Sequence, residues 1–139
     1  MYPENLTVCM TPEEKEVLLL LEYAIFRYHG FDDNERERLE NDAAAMHAQA
    51  QLEKVYAFVD DILQKTNQSE VAVFEATLRR IKEVFAQLPE ERRLEYVIQV
   101  WNANKAKGYV TEIEAIAMLK VAKELGVQRG FVEYVRQKR

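Results

Sequence analysis

The chain has 139 residues, 48% of them hydrophobic and 31% charged, with only 4 Gly and 3 Pro; this suits a helix-rich globular domain with its own core and excludes disordered and fibrous classes. The formal net charge of -5 opposes attraction to phosphate backbones and argues against nucleic acid as a partner. The longest apolar run, Val17 to Leu21, ends at Glu22, far short of the roughly 20 residues a membrane helix needs, so no membrane span is expected.

The first ten residues read as an N-terminal arm, ahead of one helical domain over 11–139. They lack the basic and then hydrophobic pattern of a secretory leader, which leaves the cytoplasm as the expected location. Cys9, the single cysteine, falls in that arm and has no internal disulfide partner. Thr11 and Glu14 form the first capping box, with Pro12 at the first helical position, where its missing N–H costs nothing. In this first helix Val17, Leu20, Leu21, Ala24, Ile25 and Tyr28 follow helical spacing, and Leu19, Tyr23 and Phe26 widen the stripe beyond one face. Such width predicts a central helix, or an apolar surface at Leu19, Tyr23 and Phe26 left open for a partner.

Gly30 ends that helix, and Asp32 or Asp33 caps the next. From Glu35 the inward positions are Leu39, Ala43, Met46 and Ala50; from Leu52 they become Val55, Tyr56, Val59, Ile62 and Leu63, on nearly the opposite side of the wheel. Because no Gly or Pro intervenes, the favoured expectation is one long helix over 34–66, with a kink near Met46 to Gln51 as the alternative. After the polar break at Thr66 to Ser69, a helix capped by Ser69 carries Phe74, Leu78, Ile81, Phe85 and Leu88 in steps of four and three. Pro89 opens the next, with Glu90 and Glu91 in its first turn and Leu94, Val97, Ile98 and Trp101 as its buried stripe. A turn at Gly108 leads to the capping box Thr111 and Glu114, Gly126 ends that helix, and Gln128 to Gln137 makes a short final one. The sum is about six helices in a compact all-α bundle.

Glu114 stands among Ala117, Met118, Val121 and Leu125, so its carboxylate is expected to point inward, held by the amides of its own turn. The segment around Gly30, Asp32 and Glu35 echoes the one around Gly108, Thr111 and Glu114, with Glu35 facing inward over Leu39, Ala43 and Met46 and one residue fewer in the first copy. Neither turn fits a calcium loop. With Gly108 at the sixth position, the first, third and fifth fall on Ala103, Lys105 and Lys107; with Gly30 there, they fall on Ile25, Arg27 and His29. A transition metal held by His29 with Asp32 or Asp33 is the alternative that the turn chemistry leaves open.

Residues Leu88 to Val127, above all Gly108, Val110, Thr111 and Glu114 followed by Ala117, Leu119, Ala122, Leu125 and Gly126, resemble the TerB-like domain of tellurite-resistance proteins. The N-terminal half resembles it less, through Gly30, Asp32 and Glu35. The resemblance implies an all-helical domain of two helix-turn-helix halves, each with an Asp-Gly pair, a capped helix start and a glutamate. Where the family carries the aspartate, this chain has Lys107 and His29, so metal binding by those aspartates does not carry over.

Enzyme signatures are missing. Ser69 reads as a cap, no glycine-rich phosphate cradle exists, and Phe26 and Ala44 stand where a di-iron bundle would place glutamates before His29 and His47. The expectation is a non-enzymatic interaction module of bacterial stress or tellurite response that needs no cofactor, engages a protein partner and is compatible with homo-oligomers. A metal-binding sensor or metal-dependent enzyme using the acidic turn residues is the alternative.

Overall fold

In a computed structural model describing residues 10–27, 31–106 and 108–137, the chain is all-helical. The described residues form seven helices and no strand: α1 (Pro12–Phe26), α2 (Asp33–Ala45), α3 (Gln49–Lys65), α4 (Glu70–Phe85), α5 (Glu90–Lys105), α6 (Glu112–Glu124) and α7 (Gln128–Gln137). None is long and apolar enough to cross a membrane.

Helix α1 starts at its capping box, where Glu14 N donates to Thr11 Oγ1 at 3.1 Å and Thr11 N donates to Glu14 Oε1 at 3.2 Å. Every residue from Val17 to Phe26 is buried, and α1 touches all of α2 to α6. A helix with no polar face has no side to give to water, so the other helices collect around it. This corrects the partner surface expected at Leu19, Tyr23 and Phe26, which are 0%, 6% and 1% exposed. Their apolar excess faces the core of the same chain.

The favoured single helix over 34–66 is also overturned. The chain breaks at Met46, His47 and Ala48, where the alternative had placed a kink, and this break raises the helix count from about six to seven. His47 adopts the left-handed conformation (φ 55°), His47 N donates to the Ala44 carbonyl at 3.1 Å, and Ala48 N reaches back to the Ala43 carbonyl at 2.7 Å. These two bonds satisfy carbonyls that a helix end leaves open, so a stop forms without Gly or Pro. The reversal of the apolar face is thereby explained. Leu39 and Ala43 are buried from α2, Val55, Val59 and Leu63 from a reoriented α3, and Ala48 is buried at the stop while Ala50 is exposed.

The stop after α6 has the same design. Gly126 (φ 71°) donates to the Lys123 carbonyl at 3.0 Å, and Val127 N reaches the Ala122 carbonyl at 2.9 Å. Helices α2 and α6 are both 13 residues long, both open with a capping box, and Thr111 stands 79 places after Asp32 just as Leu125 stands 79 after Met46. The α1–α2–α3 and α5–α6–α7 segments are therefore two three-helix units in one register, with no residue gained or lost between the described caps and stops.

Helix α4 has no counterpart in this scheme and braces the two units. Arg80 approaches Glu13 at 3.8 Å and Glu16 at 3.6 Å on α1, and Lys82 approaches Glu124 of α6 at 3.7 Å. Arg27 also clasps Glu70 at the start of α4, with Nε to Oε1 at 2.8 Å.

Candidate functional site

The two capped turns hold the carboxylates singled out from the sequence. At the second turn Glu114 is fully buried; its Oε1 accepts from Thr111 N at 2.8 Å and from the Thr111 hydroxyl at 2.9 Å, while Glu114 N donates back to Thr111 Oγ1 at 3.2 Å. Backbone and hydroxyl donors serve Oε1 at the helix N-terminus, where the aligned peptide dipoles also favour a negative charge. Gly108 precedes this cap at φ 110°, a backbone region that side chains rarely enter. At the first turn Glu35 N donates to Asp32 Oδ1 at 2.8 Å and Asp32 N to Glu35 Oε1 at 3.2 Å, with Glu35 8% exposed. Asp33 is exposed on the first turn of α2, whereas Gly30 and His29 lie outside the described residues. At both capped turns one carboxylate oxygen, Oε1, closes the capping box, while Glu35 Oε2 is buried without a hydrogen-bond partner among the described residues. Among the described residues no group of three or more His, Cys, Asp and Glu is placed to hold a metal ion.

Sequence reasoning missed two buried acids, Glu22 at 1% exposure on α1 and Asp42 at 3% on α2, the latter with Oδ2 buried and without a hydrogen-bond partner among the described residues. The position of Asp42 between Leu39 and Ala43 on the inward side of α2 is the signal that a helical wheel carries for it.

The other unit presents a surface. Between α5, α6 and α7 runs an apolar groove of about 190 Å³, lined by Trp101, Ala115, Leu119, Val132, Val135 and Arg136. Phe131 forms its floor, 2% exposed and edge-on to the Trp101 ring at 5.4 Å. Outward on α6, Ile116 stands one turn before Leu119 and Ile113 one turn before Ile116, at 46% and 58% exposure, and Tyr109 ahead of the cap is 60% exposed. Among the described residues these three make up all but one of the exposed large hydrophobic side chains, the fourth being Val71 on α4. The groove and the exposed isoleucines share helix α6, and among the described residues the groove lining carries no carboxylate, histidine or nucleophile.

Two buried phenols stand apart from this groove. Burial, reinforced by the charge of Glu14, pushes the Tyr96 phenol up to about 12; the Arg92 guanidinium, 5.0 Å from its ring centroid, opposes the rise. Tyr56 is raised as well, first by burial and then by Glu40. Both belong to packing. Tyr96 stacks on Phe85 at 4.7 Å, and Tyr56 meets Tyr23 edge-on at 5.3 Å.

No protein-family model, no curated protein and no solved structure matches this chain.

Proposed function

We propose that the protein is a non-enzymatic helical interaction module, TerB-like in its pair of capped helix-turn-helix units, that works in a bacterial stress response such as resistance to tellurite by holding a protein partner. The observation that carries the reading is the apolar groove of Trp101, Leu119, Val132 and Val135, with Ile116 and Ile113 exposed on the same helix α6. Uncovered apolar surface of this kind costs free energy in water and is characteristic of interaction sites. The partner surface moves from helix α1, where the sequence suggested it, to helix α6. The buried acids support the same reading in part: Glu114 and Glu35 each use Oε1 to cap their own helix starts. Affinity purification of the tagged chain, followed by size-exclusion chromatography, tests it. A stoichiometric complex with one protein is expected. Elution of the bait alone, from cells grown with and without tellurite, overturns the reading, as does saturable heat on titration with zinc, calcium or manganese.

A further inference from the structure

The groove has an internal control. Counting back 79 places from its lining residues gives Glu22 for Trp101, Arg36 for Ala115, Glu40 for Leu119, Glu53 for Val132 and Tyr56 for Val135. In that first unit two of these positions, Arg36 and Tyr56, carry large side chains packed against neighbouring rings. Phe31 and Tyr56 stand edge-on to Tyr23 at 4.7 and 5.3 Å, and the Arg36 guanidinium covers the Phe31 and Tyr56 rings at 5.1 and 5.9 Å. The second unit has the smaller Ala115 and Val135 at the positions of Arg36 and Tyr56, and both line its groove.

Its rim is basic. Arg136 lines the groove and forms no ion pair among the described residues. Lys105 and Lys123 follow Trp101 and Leu119 by one helical turn, and Arg129 precedes Val132 by one. Two acids share the rim: Glu112, one turn before Ile116, and Glu133, which is engaged by Arg129 at 3.4 Å. The imbalance extends along the chain. From Trp101 onward there are eight Lys and Arg against four Asp and Glu, and before it eleven against twenty.

Resting on the interaction-module reading, we infer that the α5–α6–α7 groove binds an acidic amphipathic helix of a protein partner. Its apolar residues, one turn apart, enter beside Trp101, Leu119 and Val132, and its carboxylates face Arg136, Lys123 and Lys105. This is helix-in-groove recognition, with the charged rim selecting among apolar helices by sign.

Trp101 is the only tryptophan and lines the groove, so its fluorescence reports occupancy directly. The probe is a synthetic helix of about 16 residues with leucines on one face and glutamates on the other; a counterpart carries lysines in place of the glutamates. The acidic peptide is expected to shift Trp101 emission saturably and to bind about tenfold tighter than the basic one, with the difference shrinking in high salt. Val132→Glu is expected to abolish binding. Arg136→Glu, at an exposed position that folding does not need, is expected to reverse the preference between the peptides. Equal binding of both peptides, or binding indifferent to Val132→Glu and Arg136→Glu, overturns the inference. So does a dimer in sedimentation velocity that Val132→Glu dissociates while the peptide leaves Trp101 unchanged, because the occupant is then a second copy. A purified partner that both variants retain sinks the groove assignment and leaves the module reading standing, whereas a bait that elutes alone sinks the module reading.

Discussion

Glu114 shows how a charge can be buried at modest cost. Its carboxylate oxygen Oε1 accepts two short bonds from Thr111 at the head of a helix. Glu114→Gln keeps the shape but replaces charge-assisted bonds with neutral ones and turns one oxygen into a donor. A loss of about 1–3 kcal/mol is expected, read as a lower urea midpoint at unchanged slope; an unchanged midpoint removes the carboxylate from the stability of this turn. Tyr96 makes the opposite case, a polar atom that gains little from being inside. Its hydroxyl is buried without a hydrogen-bond partner in good geometry, and its folded pKa of about 12 lies above the ordinary value of 10.0. Because the folded state binds this proton more tightly, the associated stability is present below pH 10 and is lost as pH rises from 10 toward 12. Denaturant midpoints are expected to fall across that window, and Tyr96→Phe to flatten the fall while costing little at neutral pH. These residue-scale features were unequally legible in the sequence. The spacing of Thr111 and Glu114 spelled out the cap because capping is local, but nothing near Tyr96 announced that Phe85 would stack on it from another helix.

At the scale of elements, the α2–α3 break is the instructive case. High helix propensity across Ala43 to Gln51 argued for continuity, and the chain stops there all the same. Propensity differences of a few tenths of a kcal/mol per residue are outweighed by burying Ala48 at the stop and turning Val55, Val59 and Leu63 onto the core. The reversal of the apolar face already pointed to a break, since one straight helix cannot bury opposite sides against the same core. His47 carries the stop in a left-handed conformation that Gly126 occupies in the other unit. His47→Gly is therefore expected to stabilise the fold by about 0.5–1 kcal/mol, seen as a rise in thermal midpoint. A fall would mean that the imidazole makes contacts worth more than the strain. Apolar excess was equally visible in α1 and α6 but meant different things in each. Both helices have hydrophobic residues outside one stripe, and only tertiary placement decides that Leu19, Tyr23 and Phe26 are enclosed while Ile113 and Ile116 meet solvent. A one-dimensional pattern records how much apolar surface a helix has, without recording how many neighbours come to cover it.

Taken whole, the molecule is two similar three-helix units joined by a brace and organised around α1, which belongs to the first unit and also touches α4, α5 and α6. Since α1 supplies core to both units, neither keeps its packing if the other opens. Helix content by circular dichroism and Trp101 fluorescence, which watch all helices and the second unit respectively, are expected to give one common unfolding midpoint. Separated midpoints would show the units melting independently. The brace adds little to this cohesion, because the Arg80 and Lys82 pairs involve partly exposed groups that water and salt screen.

The central position of α1 also shapes how the protein is made. Translation delivers its ten enclosed residues, Val17 to Phe26, well before α5 and α6 exist to cover them. A nascent chain must then hold an oily rod in partial shelter while roughly another hundred residues are polymerised, an interval of several seconds at ordinary elongation rates. During that interval the emerging polypeptide is at its stickiest, and holdase chaperones at the ribosome exit have their clearest target.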